Sequence, residues 1–376
     1  MVYSQSVGFE SFLGNTATVT HLRESIRAGR FPQALILSGP RGAGKYTLAL
    51  MLAQAVNCLS PTETPSENGP LPDFCGVCSN CQRIGDAANL EARVEEAVAA
   101  REDLRDADKK ETRILIQTHP DVMIIPPDPP QLTIKMGQVR QVIHAAYYRS
   151  PGQAQRSFYI FTSSAFMKEA ANSLLKVLEE PPENTSLVLL TENPQELLPT
   201  IRSRAIVHRL GALASKELEA LLAARRPQFK PMQRELAARL AEGAVGRALT
   251  IDLEVYLASR QDALILLRTA LREPDYSQLF RATESYRAGA DGQEKTINLL
   301  RALGSLVEDL LLIVAGTPKL IRNLDIEAEL ARLAQGVTVD WIDGAARALG
   351  QVEQGMRRNL LRSLSLDAMA VGLEKI

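Results

Sequence analysis

The 376-residue chain has no run of about 18 uninterrupted apolar residues, the length a membrane-crossing helix needs, and its longest candidate, Leu310–Ala315, is far shorter. Membrane partners are therefore not expected. Residues Met1–Glu10 lack the basic start and apolar stretch of a secretory signal, which argues for a cytoplasmic chain. Net charge is almost absent as well: 43 basic residues face 44 acidic ones, leaving −1. That excludes a basic nucleic-acid coat and an acidic tail, so any DNA contact must come from a local patch or an assembly. Cysteine is scarce. All four fall between Cys58 and Cys81, whereas disulfide-stabilised secreted chains spread theirs through the fold. Neither an internal repeat nor a low-complexity tract is present.

What remains is a globular composition, with 45% apolar and 23% charged residues, long enough for two or three compact domains. In the first two hundred residues, helical stretches alternate with short aliphatic runs at Ala34–Leu37, Val122–Ile125, Ser157–Thr162 and Leu187–Thr191. Such runs read as strands buried on both faces, and their alternation with helices predicts an α/β domain, a parallel sheet with flanking helices. Pro126–Pro130 reads as a rigid loop. The charged, alanine-rich stretch 85–113, with Leu90, Val94, Val98, Arg101 and Leu104 near helical spacing, predicts a helical insertion with a solvated face. Beyond Ser215 the apolar spacing turns helical, as in Leu218–Ala224 and Asn298–Ile313, with a hinge expected around Val255.

Gly39–Thr47 reads G-P-R-G-A-G-K-Y-T after a strand and before a helical run, the setting of a phosphate-binding loop. Gly39, Gly42 and Gly44 allow the tight turn that points N–H groups at phosphate oxygens, and Lys45 adds a cation at the helix N-terminus. The next position should carry a Ser or Thr hydroxyl for magnesium, but Tyr46 stands there, and Thr47 is turned about 100° around the helix. The strand that should end in a metal-binding acid, Ser157–Thr162, runs into Thr162, Ser163 and Ser164 instead. Hydroxyls can neither balance a divalent charge nor take a proton from water near neutral pH, so the loop is expected without the hydrolysis.

Cys75, Cys78 and Cys81 are each separated by two residues, with sixteen residues between Cys58 and this group. Four thiolates on tight knuckles suit a closed, structural zinc site, with two disulfides as the alternative.

These residues resemble the clamp-loader branch of the AAA+ ATPases, and within it the delta-prime subunits of bacterial DNA polymerase III. The resemblance rests on F-P-Q-A-L-I-L-S-G-P-R-G-A-G-K, the cysteine group, T-H-P-D, N-S-L-L-K-V-L-E-E-P-P and I-R-S-R-A, across residues 8–208. It implies an AAA+ P-loop domain (1–208) holding the zinc module (58–81) and the insertion (85–113), then a helical lid (209–254) and an all-α collar (255–376). It implies a subunit that supports clamp loading in DNA replication without intrinsic ATPase activity, as part of the DNA polymerase III holoenzyme. The implied partners are gamma/tau and delta subunits, the sliding clamp, and primed DNA through the assembly. Arg204 aligns with the arginine that enters a neighbouring ATP site, although Ala205 replaces the family's Cys and an ordinary salt bridge is the alternative. Arg247 resembles a lid arginine that senses nucleotide; with Gly39, Gly42, Gly44, Lys45 and Thr47 it would form a degenerate site where ATP or ADP binding is weak or absent. A catalytically active gamma/tau-like ATPase is the rival reading.

Overall fold

The computed structural model describes residues 8–129, 131–148, 156–271, 276–286, 289–356 and 362–373. Pro130 of the expected rigid loop, residues 1–7 and 149–155 of the expected P-loop domain, and 272–275, 287–288, 357–361 and 374–376 of the expected collar lie outside the described residues. The chain divides into two compact units, one made of Met1–Leu213 with Ala244–Gly246, the other of Ala214–Gly243 and Arg247–Ile376.

The first unit begins with α1 (Thr16–Arg27), β1 (Ala34–Ser38) and α2 (Lys45–Asn57). A small antiparallel hairpin, β2 (Thr62–Thr64) and β3 (Leu71–Asp73), leads into α3 (Ser79–Gly85). The insertion follows as α4 (Leu90–Glu102) and α5 (Asp106–Glu111), then β4 (Ile116–His119), β5 (Val122–Ile125) and α6 (Met136–Tyr148). The unit continues with β6 (Ser157–Phe161), α7 (Lys168–Glu179), β7 (Thr185–Thr191), α8 (Pro199–Arg202) and β8 (Ile206–Arg209).

Six strands form one sheet in the order β4-β5-β6-β7-β1-β8. All neighbours run parallel except β4, which pairs antiparallel with β5 across the T-H-P-D turn. The parallel sheet expected from the aliphatic runs therefore carries an antiparallel edge. Every residue of β1, β5 and β7 is buried, which is why these strands read as unbroken apolar runs. On one face, Leu35, Leu37, Ile124, Phe158 and Ile160 pack with Leu48, Leu52 and Leu22 of α2 and α1. On the other, Ile36, Ile125, Tyr159, Phe161 and Leu189 pack with Val139 and Val142 of α6 and Leu174 and Val177 of α7. Layers of helix on both faces leave the carboxyl ends of β1, β6 and β7 along one rim, the usual ligand side of an open α/β sheet.

Helix α4 has no buried apolar residue, consistent with a solvated face. It is nonetheless tied down by a buried charge: Arg101 Nη1 donates to Asp128 Oδ1 at 2.6 Å, Asp128 is fully buried, and Lys135 Nζ lies 3.5 Å from the same oxygen.

The second unit is helical: α9 (Ser215–Arg225), α10 (Pro231–Leu240), α11 (Val245–Thr250), α12 (Leu253–Leu271), α13 (Tyr276–Glu284), α14 (Gly289–Val314), α15 (Glu327–Leu333), α16 (Val339–Met356) and α17 (Arg362–Leu373), with the start of α11 counted in the first unit. Leu267, Leu299, Leu303, Leu306, Leu310 and Leu366 form its core. In the segment around Val255, where a hinge is expected, the chain leaves helix at 251–252 between α11 and α12. Val255 sits in the first turn of α12, where Asp252 Oδ1 accepts from the N–H groups of Glu254 (3.0 Å) and Val255 (3.1 Å) and so caps the helix. A fully buried polar knot also stands in this unit. Asp309 accepts from Arg322 N (2.7 Å), Asn323 N (2.9 Å) and Asn323 Nδ2 (2.8 Å), while Arg260 reaches Asn323 Oδ1 at 3.0 Å. Among the described residues, no helix is long and apolar enough to cross a membrane.

Candidate functional site

The loop from Gly39 to Gly44 joins the end of β1 to the start of α2, so the phosphate-loop sequence lies on the strand–turn–helix frame it needs. Gly44 has φ +86°, and a Cβ there would come 2.8 Å from the Phe12 ring, so both conformation and space require glycine. Lys45 Nζ donates to the loop's own carbonyls, Gly39 O at 2.5 Å and Pro40 O at 2.9 Å. Burial lowers its pKa, and the charge of Glu192 at the end of β7 works in the opposite direction. A further strand of backbone closes on the loop: Gly246 N donates to Gly42 O at 2.8 Å. Thr47 is half-buried in the first turn of α2.

Tyr46 turns away from the loop and donates its hydroxyl to Ala87 O at 2.6 Å, beyond the end of α3. Burial pushes this phenol's pKa up, which keeps it a neutral donor. A neutral phenol spent on a carbonyl offers nothing to a divalent cation.

The end of β6 carries hydroxyls, as its sequence indicates. Ser163 Oγ accepts from Ala165 N at 3.1 Å, and Ser164 Oγ donates to Glu196 Oε2 at 2.5 Å. Thr191 Oγ1 stands 3.4 Å from the same carboxylate oxygen. Carboxylates reach this rim from a neighbouring strand instead: the segment after β7 brings Glu196 to the end of β6, and Glu192 acts on Lys45. Neither acid belongs to the strand where the sequence pattern looks for one. The signal available was only their position after a strand that neighbours both β1 and β6.

Arg204 lies between α8 and β8, with its guanidinium partly exposed. Nη1 donates to Thr200 O (3.0 Å) and Ser203 Oγ (3.4 Å), and Nη2 donates to Glu179 Oε1 at 2.7 Å. Glu179 is the last residue of α7 and the first Glu of L-E-E-P-P, so two sequence motifs meet in one ion pair. Arg247 pairs with Glu242 at 2.9 Å.

The four cysteines converge. Cys58 Sγ lies 3.5 Å from Cys75 Sγ, 3.6 Å from Cys81 Sγ and 3.9 Å from Cys78 Sγ, and all four sulfurs fall within 4.8 Å of one another. All four are free thiols, at separations far beyond the roughly 2.05 Å of a disulfide. A tetrahedral ion with metal–sulfur bonds of about 2.3 Å requires sulfurs about 3.8 Å apart, so the cluster can hold a metal ion of that kind. Backbone N–H groups already face the sulfurs, from Cys75 to Cys58 (3.4 Å), Cys78 to Cys75 (3.4 Å) and Cys81 to Cys78 (3.5 Å). Burial raises the thiols of Cys58 and Cys81. At Cys78 burial also acts upward, but N–H donors from Cys81 and Leu59 and the thiols of Cys81 and Cys75 outweigh it and pull the group down to about 6. The hairpin leading into this cluster is fixed by Asp73, whose carboxylate accepts from Phe9 N (3.1 Å) and Phe74 N (2.8 Å) beside Arg23.

With this geometry in place, the pattern that defines the family described as DNA polymerase III, delta subunit, matches residues 14–214, more than half of the chain. The chain belongs to this clamp-loader AAA+ family. Its clamp-loader relatives include the DNA polymerase III subunit delta' of Bacillus subtilis (strain 168), 33% identical over 53% of this chain and 48% of that one. The DNA polymerase III subunit tau of Escherichia coli (strain K12) is 28% identical over 65% of this chain and 32% of its own length. The chain thus spans about a third to a half of the length of these relatives. A solved gamma subunit-related protein from Thermotoga maritima aligns with 95% of this chain and 98% of its own at 19% identity, with a TM-score of 0.44.

Proposed function

We propose that this chain is the non-hydrolysing, delta-prime-type subunit of a DNA polymerase III clamp loader, which supports ATP-dependent loading of the sliding clamp onto primed DNA. The observation that carries this reading is the state of Tyr46. Its hydroxyl is committed to Ala87, next to a lysine folded onto its own loop, so the position that should bind magnesium has no ligand to offer. Any ATP or ADP held by Gly39, Gly42, Gly44, Lys45, Thr47 and Arg247 would be held weakly.

In this reading Arg204 acts in trans. Its guanidinium is permanently charged, planar and partly exposed, suited to meeting phosphate oxygens of a nucleotide on a neighbouring ATPase subunit. The partners are gamma/tau and delta subunits, with the clamp and DNA reached through the assembly, in the cytoplasm. Cys58, Cys75, Cys78 and Cys81 would hold a structural zinc ion that fixes the hairpin and α3 as one module; four sulfur ligands leave no open position for chemistry. Residues 1–208 serve as the AAA+ domain, 209–254 as a lid and 255–376 as a collar for oligomerisation.

A gamma/tau-like active ATPase is the second reading, favoured by Glu192 and Glu196 at the strand ends and by the similarity to tau. Steady-state turnover of the purified chain with ATP and Mg²⁺ separates the two. The scaffold reading expects none above background, and robust turnover without partners overturns it.

A further inference from the structure

Resting on the reading of Arg204 as a finger, we propose that Glu179 is its positioning residue, the carboxylate that holds the guanidinium in the orientation it presents to a neighbouring phosphate. An arginine at a surface has four rotatable bonds, and an unheld one spreads over many rotamers. Here the side chain is held from three sides. Thr200 O, Ser203 Oγ and Glu179 Oε1 take three of the five N–H donors, two on Nη1 and one on Nη2. The donors on Nε and the second on Nη2 remain for an incoming phosphate oxygen, which rewards planar, multiple contacts.

The backbone on both sides of the pair is fixed by the core. Leu178, next to Glu179, is buried together with Leu174 and Val177 of α7, and Pro181 and Pro182 stop the chain from continuing the helix. Ile201, one turn before Arg204, is fully buried, and Arg204 N donates to Ile201 O at 3.1 Å. Side chains separated by 25 residues in sequence therefore meet at a distance set by buried packing rather than by chance approach of two mobile chains. Of the three acceptors, only Glu179 is charged, and so it contributes the strongest of the three hydrogen bonds. A stand-alone ion pair at this exposure would add little to folding, so an effect of Glu179 should appear in turnover rather than in stability.

The test uses the clamp loader reconstituted with its ATPase subunits and measures DNA-stimulated ATP turnover. Arg204→Ala defines the share of turnover that depends on the finger. Glu179→Ala is expected to remove at least about half of that share through kcat, with KM for ATP changed less than about twofold. Glu179→Gln, whose amide oxygen still accepts from Nη2, is expected to keep most of it. In an Arg204→Ala background, Glu179→Ala should have no further effect. Wild-type turnover in Glu179→Ala while Arg204→Ala is impaired overturns the positioning role, as does a separate loss added on top of Arg204→Ala. Unchanged turnover in Arg204→Ala itself rejects the finger reading, and the positioning role with it.

Discussion

The Tyr46 hydroxyl and the Ala87 carbonyl meet at 2.6 Å, which joins the first turn of α2 to the chain leaving the cysteine module. The residue that takes the place of a magnesium ligand has become a structural tie. Tyr46→Thr would restore a hydroxyl beside Lys45, yet it removes this tie and the partly buried ring that packs against the core. A loss of about 2–4 kcal/mol is expected in denaturant unfolding, with no gain of ATP turnover because β6 still ends in Thr162, Ser163 and Ser164. Turnover appearing in this variant would show that Tyr46 alone blocks the chemistry.

The cysteine cluster predicts metal-linked stability. Cys81→Ser replaces one of four sulfurs with a poor zinc ligand, so the purified variant should carry less than one zinc per chain by elemental analysis. A strong chelator should lower the melting temperature of the native chain and leave that of the variant nearly unchanged.

An acid-dependent loss of stability is expected at His208. Burial first, then the charge of His21, lowers its pKa from the ordinary 6.5, and the two rings lie 5.2 Å apart. The unfolded chain therefore binds a proton at higher pH than the folded chain does. The contribution is fully present above about pH 6.5 and is lost as pH falls from there through the folded value. His208→Gln should flatten the pH dependence of unfolding in that window, which urea titrations at a series of pH values can measure.

In the helical unit, Asp309→Ala should be among the most damaging single changes. It strands the backbone N–H groups of Arg322 and Asn323, both held by one fully buried carboxylate, and leaves the Asn323 amide with Ser305 Oγ alone. A cost of about 3–5 kcal/mol is expected, the range for breaking a buried charged network, and calorimetry would register it.

Much of the α/β domain is legible from the chain alone because its central strands are buried on both faces and leave continuous apolar runs. The outer strands β4 and β8 leave no such mark: Gln117 and His119 interrupt one, and β8 is mostly exposed, so neither forms a wholly apolar run. The cysteine cluster could be read from spacing, since ligand geometry is local. Glu196 could not, because it meets Ser164 across 32 residues and only the adjacency of β6 and β7 brings them together. Near Val255 the helix break falls at 251–252, because Asp252 caps α12 and sets where that helix starts.

The buried contact between Arg101 and Asp128 sets a limit on how this protein can be shortened. Excising 90–111 looks cheap from the outside, since α4 has no fully buried side chain and only Leu90 and Val94, partly buried, pack against the core. Yet such a deletion would remove the closer of the two cations on the buried Asp128, leaving Lys135 at 3.5 Å, next to the loop that feeds α6. A trimmed version should therefore stop short of Arg101, so that the buried Asp128 keeps its closer hydrogen-bonded cation.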